Sequence, residues 1–475
     1  MASFLLTSVT VLLLSTTPGG RGSSYHKISP QLSKSLTKQE YTANVFVTFS
    51  QGTESVLATI SAKSFPSRSA RLDQVHDSLV SHAASTQDDT IQLLAQEGHP
   101  YKSIWITNQL YVPDATMDLV IKLASSPDVA YVSQEEVIPL HQPVYRGPVR
   151  KRGKVRPSGE WGIMKIKANE ARSLLKSLGQ NVSIVVSSID TGVRGTHEAL
   201  SSNWRDDGYG WYDPYDKSAL PRDKDGHGTH TMGTICGSGG IGVYPEAKWM
   251  ACRGCKGGCT QFALLSCAQW IACPTMANGT KRDCSKAPHV VSNSWGGGGG
   301  RNWFDRAIGV WHAAKIIPLF SNGNEGTACN TTGSPADSKN NVISVGSTTV
   351  DDALSFFSSV GPTFDGRMKP DVSAPGSNVL SASHKGDSEY QPMSGTSMAC
   401  PHTAGVAAIL LAGSKQEMEY DRVLQLLADG ADTKSLLSGG RGCVGVTDKV
   451  FPNHQFGHGR VNAFNSLTKL IKESE

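Results

Sequence analysis

The chain has 475 residues, and at about 150 residues per domain this length predicts two to three domains. With 38% hydrophobic and 18% charged residues it can build packed cores, and its formal net charge of +4 gives no reason to expect a nucleic-acid partner. Beyond the N-terminus no run approaches the roughly 18 apolar residues of a membrane span, so we expect a soluble protein without membrane contact.

The first 22 residues have the pattern of a secretory signal peptide. Phe4–Leu14 is an apolar run of suitable length, and Thr16–Gly22 supplies the small residues found near a cleavage site. No Lys or Arg precedes the apolar run, so a buried core helix is the alternative. We predict a signal peptide over residues 1–22 and secretion, with a vacuole or a lysosome-like compartment as the alternative destination.

Residues 41–140 contain no cysteine and alternate short β-like runs with helical ones. We interpret this pattern as the β-α-β-β-α-β order of the split, ferredoxin-like unit and predict a small α+β domain, although the segments below contain only one strand between the two helices. The expected segments are strand 41–50, helix 71–96, strand 104–111, helix 116–124 and extended chain at 129–132 and 137–140.

A basic segment at 141–160 follows this domain. Its closely spaced charges favour an exposed stretch that proteases can cut. We expect this segment to link the small domain to a larger one over 161–475. The basic residues within it are Arg146, Arg150, Lys151, Arg152, Lys154 and Arg156.

The larger part of the chain opens with a strand that ends in a carboxylate. Val182–Ile189 is an apolar, β-branched run typical of a parallel strand buried on both faces, and Asp190 follows it directly. Functional groups gather at the carboxyl ends of such strands. Together with the 49 glycines of the chain, which suit many tight turns, this run predicts an α/β domain.

Two further motifs carry a histidine and a serine. Asp225–His230 reads Asp-Gly-His-Gly-Thr-His, and its glycines let neighbouring backbone come close to an exposed imidazole at His227. Ser394–His402 leads into an apolar helix, so Ser397 is expected near the start of that helix with its hydroxyl towards solvent.

Asp190, His227 and Ser397 can form a nucleophilic triad. A neutral histidine removes the proton of the serine hydroxyl, while a buried aspartate fixes the histidine tautomer and stabilises the imidazolium. The chain order Asp, His, Ser distinguishes this arrangement from two other hydrolase orders. The three motifs together predict catalysis through an acyl-enzyme.

All ten cysteines lie between Cys236 and Cys443, and six of them crowd into residues 252–284. In an oxidising compartment such a cluster forms disulfides. A metal site that uses Cys252 and Cys255 is the alternative, although no second pair at zinc-ribbon spacing follows. The sequons predict glycosylation in a secreting eukaryote, at Asn181, Asn278 and Asn330.

These motifs resemble those of the subtilisin-like serine proteases, or subtilases, with an inhibitory propeptide still attached. The resemblance covers nearly the whole chain after residue 41 and includes a closing segment, Phe456–Asn462, similar to the end of the family's catalytic domain. Within the family, Trp270–Ala272 and Ala287–Gly297 look most like the bacillopeptidase F group. The resemblance implies a three-layer α/β catalytic domain with a parallel sheet, preceded by a ferredoxin-like α+β propeptide domain.

The resemblance also implies the residues that contact a substrate. Asn324 would be the side-chain donor of an oxyanion hole, together with the backbone N–H of Ser397; a turn asparagine is its alternative role. Gly257–Cys259 would pair with the substrate as an added strand. No Asp lies at the floor of the primary specificity pocket, S1, so a large apolar or aromatic residue is expected there. The implied contacts are Ser294, Trp295 and Gly296 on one wall, Ser321 and Gly323 on the other, Gly333 at the floor, and Gly257 and Gly258 on the paired strand.

Zinc catalysis and calcium binding are the metal alternatives. His227 and His230 form H-x-x-H, but the Glu of a zinc-hydrolase motif is absent, so we expect His230 to be buried and hydrogen-bonded. The calcium ligand that subtilisins use after the catalytic Asp is Ala199 here. We therefore expect no metal in the chemistry and leave structural calcium without a defined site. An acidic cluster could bind calcium or form a solvated loop, and its residues are Asp206, Asp207, Asp213, Asp216, Asp223 and Asp225.

Cys400 lies three residues after Ser397, and we expect its thiol to be buried and inert. If it is free, at least one other cysteine must also be unpaired, because an odd number remains.

The resemblance further implies regulation by the propeptide, whose strand near Val137–His141 would lie in the substrate cleft as a product. Cleavage within 141–160, by the enzyme itself or by a dibasic-specific protease at Arg150–Arg152, would leave a bound inhibitor. We therefore expect a secreted, monomeric serine endopeptidase that is made as a zymogen and cleaves proteins and peptides broadly. The alternatives are a narrow processing protease, a catalytically silent binding or inhibitory protein, and a metal-dependent hydrolase.

Overall fold

The computed structural model describes residues 24–36, 41–151, 159–179 and 182–473. The predicted signal peptide, the sequon residue Asn181 and the basic residues Arg152, Lys154 and Arg156 lie outside these ranges.

The N-terminal unit is an antiparallel sheet covered by helices. Its strands follow the order β2-β3-β1-β4, and α3 and α4 form the two crossovers, so the predicted β-α-β-β-α-β arrangement is present. Its elements are α1 (Pro30–Ser35), β1 (Ala43–Phe49), α2 (Glu54–Ser61), α3 (Arg68–Gln96), β2 (Lys102–Ile104), β3 (Gln109–Ala115), α4 (Met117–Ala124) and β4 (Val129–Gln134).

One predicted strand of this unit, 104–111, is instead a hairpin. The run of Ile, Trp and Thr residues has strand-like composition, but the chain reverses between β2 and β3. Asn108 makes this possible because asparagine tolerates its φ of 50° and because its side chain is held by Thr86 and Gln87 of α3. The reversal depends on contacts from α3, which the local sequence does not reveal.

Three short strands connect this unit to the larger one, and the elements of the larger unit follow them. The connecting strands are β5 (Val137–Ile138), β6 (Tyr145–Arg146) and β7 (Arg150–Lys151). The larger unit contains α5 (Trp161–Lys165), α6 (Ala168–Ser177), β8 (Val185–Asp190), β9 (Trp211–Tyr212), α7 (His227–Cys236), β10 (Lys248–Arg253), β11 (Cys259–Thr260), α8 (Gln261–Ala272), β12 (Val290–Asn293), α9 (Asp305–Ala313), β13 (Ile317–Ser321), β14 (Ile343–Thr348), β15 (Val372–Pro375), β16 (Val379–Ala382), β17 (Glu389–Ser394), α10 (Thr396–Gly413), α11 (Tyr420–Gly430), β18 (Gly442–Cys443), β19 (Val446–Thr447) and α12 (Ala463–Lys472).

A seven-stranded parallel sheet with helices on both faces confirms the predicted three-layer α/β fold. The strand order is β15-β14-β13-β12-β8-β10-β9. Strand β8 begins at Val185, three residues later than predicted. Val186 joins the core formed with α7 and α10, whereas Val185 and Ile189 join the core formed with α8 and α9. This alternation explains why the strand is apolar throughout, and it leaves Asp190 at the carboxyl edge of the sheet.

Helix α10 is the central helix of the larger unit. By length and composition it is apolar enough to cross a membrane, but 94% of it is buried inside the protein. The expectation that no segment beyond the N-terminus has this length and apolarity is therefore wrong for Thr396–Gly413. The reason is its position against the sheet and α7, where apolar and small residues are needed on every side.

Eight cysteines form four disulfides, and the six clustered ones pair only with each other. Cys252 and Cys255 bond to different partners, so the alternative of a metal site on this pair is wrong. Cys236 and Cys400 are free and buried, and burial raises the pKa of the Cys400 thiol to about 12, which keeps it unreactive. The disulfides are Cys252–Cys267, Cys255–Cys259, Cys273–Cys284 and Cys329–Cys443.

The N-terminal unit docks on the α8 and α9 side of the larger unit. Phe46 and Leu72 belong to the same buried cluster as Trp270, and the ring of Tyr111 stacks on that of Phe262 at 4.3 Å. Arg68 of α3 donates to the backbone carbonyls of residues 287 and 288 at 3.1 and 2.6 Å. The interface therefore combines apolar burial with directional bonds to the larger unit's backbone.

Candidate active site

Three elements of the larger unit bring the predicted triad to the carboxyl edge of the sheet. Asp190 is the last residue of β8, His227 is the first residue of α7, and Ser397 is the second residue of α10. Helices α7 and α10 pack against each other, and α7 also contacts β8. Residues from three distant parts of the chain thus meet at one end of the fold.

Asp190 and His227 form a buried pair. His227 Nδ1 donates to Asp190 Oδ1 at 2.8 Å, and Asp190 also accepts from the backbone N–H of Thr191 and the hydroxyl of Thr231. This arrangement leaves Nε2 of His227 without a proton, and Nε2 is buried with no hydrogen-bond partner among the described residues. A histidine held in this tautomer is ready to accept a proton.

Ser397 contacts a carbonyl of the connecting chain. Its Oγ donates to the backbone oxygen of His141 at 2.9 Å. We call residues 137–146, which cross the site, the cleft segment. The imidazole of His227 and the hydroxyl of Ser397, expected to be exposed, are both fully buried because the cleft segment covers them.

The cleft segment is held as an added strand before it reaches Ser397. Strand β5 pairs antiparallel with β11, so that Ile138 lies opposite Cys259. On the other side the backbone N–H of Gly296 donates to the oxygen of Pro139 at 3.1 Å, and Leu140 forms a β-bridge with Trp295. The strand predicted to pair with a substrate, at residues 257–259, therefore pairs with the chain's own residues. The predicted S1 wall at residues 294–296 contacts them from the other side.

The predicted S1 walls enclose the side chain of His141. Ser321 Oγ lies 2.7 Å from His141 Nδ1, and a Cβ built on Gly296 would lie 3.2 Å from His141 Nε2. Gly258 also approaches the cleft segment closely, because a Cβ there would lie 2.8 Å from Val137. These residues shape the path of the segment directly.

Four other residues predicted to contact a substrate form no hydrogen bond with the cleft segment among the described contacts. Ser294 Oγ donates to the backbone oxygen of Ser397 at 3.3 Å, and Gly323 accepts from the Thr396 hydroxyl at 3.2 Å. The backbone N–H of Gly333 donates to Asn322, and a Cβ on Gly257 would meet nothing within 4 Å. Among the described contacts, these four residues make no hydrogen bond to the cleft segment.

Asn324 has a fixed orientation beside Ser397. Its Oδ1 accepts from the backbone N–H and the hydroxyl of Thr396, at 2.9 and 2.8 Å, so its Nδ2 must point towards the cleft. There Nδ2 donates to the oxygen of Gln142 at 3.1 Å, one residue beyond the carbonyl that Ser397 contacts. No sequence motif identified Thr396 as the residue that orients this amide.

We predict that Asn324→Ala lowers kcat by about 100- to 1000-fold with a smaller change in KM, because a donor aimed at developing oxyanion charge acts mainly in the transition state. Steady-state hydrolysis of a fluorogenic peptide checks this. Asn302→Ala, at an exposed position, serves as the control. An equal loss in both variants, or an unchanged kcat in Asn324→Ala, would contradict the oxyanion role.

Residues 142–151 belong to the predicted exposed linker; most of their side chains are exposed, and the segment also runs along the edge of β17. Strands β6 and β7 both pair antiparallel with β17, and Arg146 donates to Asp225 Oδ1 at 2.7 Å. Arg150 and Lys151 keep exposed side chains. The linker is ordered here because an edge strand offers unpaired backbone groups, which a sequence motif does not reveal.

Basic residues neutralise the middle of the acidic cluster. Asp213 is buried and pairs with Arg253, and hydrogen bonds from Lys256 and Arg253 lower the pKa of Asp216. The buried, paired Asp213 does not fit the interpretation as a plain solvated loop, whereas Asp216 is exposed, as that interpretation expects. Asp223 instead accepts bonds from neighbouring backbone and threonine groups.

His230 lies apart from the reacting groups. Its Nε2 donates towards the oxygens of Val379 and Gln391 at 3.0 and 2.9 Å, and burial lowers its pKa to about 3. The prediction of a buried, hydrogen-bonded histidine is confirmed. Two sequon residues, Asn278 and Asn330, are exposed.

A parallel α/β sheet that carries an Asp–His pair beside a helix-borne serine has the architecture of a serine hydrolase. The chain belongs to the subtilase family, whose model matches residues 181–459. This confirms the resemblance drawn from the motifs.

Named relatives support this assignment. The chain is 32% identical to Bacillopeptidase F of Bacillus subtilis (strain 168), over 94% of this chain and 32% of that protein. It is 32% identical to Subtilisin-like protease 1 of Arthroderma gypseum over 67% of this chain and 62% of that protein. For Subtilisin-like protease 1 of Trichophyton equinum the identity is 32%, over 70% of this chain and 61% of that protein. The chain thus spans about a third of the bacterial relative and about three fifths of the fungal ones.

Proposed function

We propose that this protein is a serine endopeptidase that is made as a self-inhibited zymogen and hydrolyses peptide bonds through Asp190, His227 and Ser397. The observation that carries the proposal is the contact between Ser397 Oγ and the backbone oxygen of His141, at 2.9 Å, in a segment held as an added strand. Membership of a family whose named relatives are proteases supports it.

The chemistry follows from the positions of the groups. His227 Nε2 takes the proton of the Ser397 hydroxyl, and Oγ attacks the carbonyl carbon of the bound peptide. Asn324 Nδ2, which donates to the Gln142 oxygen in the uncut chain, shifts to the neighbouring His141 oxygen, where it and the Ser397 backbone N–H stabilise the oxyanion. His227 then gives its proton to the leaving nitrogen, and an acyl-enzyme remains. Water, activated by the same histidine, hydrolyses the ester and restores Ser397.

We expect the bond between His141 and Gln142 to be the maturation site. Its carbonyl is the one that Ser397 contacts, and the residues on both sides are paired with β11 and β17. After cleavage, the N-terminal unit would stay bound through its interface with α8 and α9 and would block the cleft until it is degraded. The contact between Ser397 and the His141 carbonyl favours self-cleavage over cutting at Arg150–Arg152.

The maturation site is checked by the N-terminal sequence and intact mass of the purified mature protein. We predict an N-terminus at Gln142, reading Gln-Pro-Val-Tyr, because only this bond lies at Ser397. Co-expression with an inactive Ser397→Ala chain tests whether one molecule cuts another. A mature N-terminus directly after Arg152 would instead indicate a separate dibasic-specific protease.

The function itself is tested by fluorophosphonate labelling of the matured protein, with peptide mapping of the adduct and casein hydrolysis in parallel. Labelling at Ser397 supports the acyl-enzyme mechanism. A correctly processed protein that neither labels nor hydrolyses casein would favour the silent binding or inhibitory alternative. Activity that a chelator removes and that survives Ser397→Ala would favour the metal-dependent alternative.

Secretion and broad specificity belong to the same proposal. Four disulfides suit an oxidising compartment, and the exposed Asn278 and Asn330 could carry glycans in a secreting eukaryote. Backbone pairing on both sides of the cleft segment favours tolerance of many sequences, since ladder bonds do not depend on side chains. Protein and peptide substrates and the chain's own N-terminal unit are the expected partners, and we expect the enzyme to act as a monomer.

A further inference from the structure

The residue enclosed by the S1 walls is a histidine rather than a large apolar residue. His141 is almost completely buried, and its backbone oxygen is the one that Ser397 contacts. Its ring therefore occupies the position of the side chain that precedes the bond to be cut. The pocket around it shows which side chain this site is built to hold.

Both nitrogens of the ring have polar neighbours. Nδ1 lies 2.7 Å from Ser321 Oγ, and Nε2 faces the backbone of Gly296, where an added Cβ would lie 3.2 Å from it. When Nε2 carries the proton and donates to the Gly296 carbonyl, Nδ1 accepts from the Ser321 hydroxyl. A neutral imidazole thus satisfies both groups at once, which neither an aliphatic side chain nor a phenyl ring can do.

Space at the ring edge depends on Gly296. Its φ is 151°, and a Cβ there would lie 2.5 Å from the backbone oxygen of Ser334 as well as 3.2 Å from the imidazole. Any larger residue would push the wall into the ring. The glycine therefore lets the backbone carbonyl approach a planar polar ring closely.

The surroundings disfavour a positive charge on the ring. Burial lowers the pKa of His141 to about 4, and His227 of α7 opposes its protonation further. The other groups that contact the ring or its backbone, Gly296, Ser321 and Ser397, carry no charge. A lysine or arginine in this pocket would bring a buried charge without a carboxylate to pair with it.

We propose that the S1 pocket selects a neutral histidine side chain, so that the enzyme cleaves preferentially after histidine and Ser321 is a specificity-determining residue. This inference rests on the proposed proteolytic function and names its substrate class. A leucine in the same place would fill a similar volume but would leave the Ser321 hydroxyl and the Gly296 carbonyl without partners, which is unfavourable in a buried site.

The test uses the matured enzyme and fluorogenic peptides Val-Ile-Pro-Leu-X, which copy residues 137–140 and carry His, Leu, Phe or Lys at X. At pH 8 we expect kcat/KM for His to exceed that for Leu by about tenfold, the ratio that one well-formed hydrogen bond supplies. In Ser321→Ala this His/Leu ratio should fall to near one. Ser202→Ala, which changes an exposed serine outside the S1 walls, is the control and should keep the ratio.

A pH series separates the charge of the substrate from that of the enzyme. The imidazole of a free peptide titrates near about 6.5, well above the value in the pocket, so binding is favoured above that pH and lost as the pH falls below it. The His/Leu ratio should therefore fall by up to about tenfold per pH unit between about pH 6 and pH 4.5. Taking the ratio cancels any effect of pH on the enzyme that is common to both peptides.

Fluorophosphonate labelling of Ser397 in each variant shows that the site is assembled. A labelled, active enzyme with a wild-type His/Leu ratio of one or less would overturn the histidine preference and leave the proposed function standing. A ratio that Ser321→Ala does not change, or that does not fall in acid, would also overturn it. A matured protein that neither labels nor cleaves any peptide would overturn the proposed function and this inference with it.

Discussion

Ser397→Ala is expected to remove proteolysis almost completely, with kcat for a fluorogenic peptide lowered by about 10⁴-fold or more. The substitution deletes the oxygen that contacts the bound carbonyl and is proposed to attack it. The same variant should accumulate as the uncut chain, because the bond after His141 is the first substrate. Intact mass and peptide hydrolysis measure the two effects together.

Ser202→Ala is a suitable control, since this serine is exposed and its backbone oxygen accepts from Lys248 at the start of β10, at the other end of the sheet from Asp190. It should mature and cleave normally. A Ser397→Ala protein that still matures at Gln142 without any added active enzyme would refute self-cleavage. If it also cleaved peptides at the wild-type rate, the serine mechanism itself would be wrong.

Asp190→Asn is the second substitution with a large expected effect, a fall in kcat of about 10⁴-fold. The carboxylate accepts the Nδ1 proton of His227 at 2.8 Å and so leaves Nε2 free to act as a base. An amide nitrogen in its place would donate to Nδ1 and move the ring proton to Nε2, where it blocks proton transfer from Ser397. The fold should remain intact, because the side chain keeps its size and keeps an oxygen that accepts from the Thr231 hydroxyl.

Steady-state kinetics with circular dichroism and thermal unfolding check this prediction. Asp387→Asn, which alters an exposed carboxylate paired with Arg194, is the matched control and should stay close to wild type. If Asp190→Asn does not fold, its kinetics say nothing about the tautomer of His227. Asp190→Ala is therefore measured as well, because alanine has no amide that could donate to Nδ1 and move the ring proton to Nε2. A rate for Asp190→Asn within about tenfold of wild type would contradict the role of this carboxylate.

The local sequence predicted most of the secondary structure because each signal is carried by neighbouring residues. The helical spacing of α3, the β-branched run of β8 and the glycines around His227 all depend on contacts within one element or turn. The prediction was wrong where a distant element decides the conformation. Residues 105–108 turn where α3 holds Asn108, and the pairing of the otherwise exposed residues 145–151 with the edge of β17 was not predicted.

The candidate triad was equally accessible from the sequence. Asp190, His227 and Ser397 each lie in a short motif that contains glycine or proline. Their order along the chain distinguished this class of serine hydrolase from two others. The motifs did not reveal that Thr396 orients Asn324, nor that Asp213 is neutralised by Arg253. Such pairings join residues that are far apart in the chain, and no local pattern marks them.

The sequence by itself thus determined the α/β class, the small α+β unit, the family and the three residues proposed for catalysis, because periodicity, turn residues and motif order are local properties. Only the tertiary structure decided which peptide bond lies at Ser397 and which side chain fills S1. Residues 141 and 397 are 256 positions apart, and their contact depends on how two separately packed units fit together. Hydrogen bonds and excluded volume act only after folding has brought such groups together.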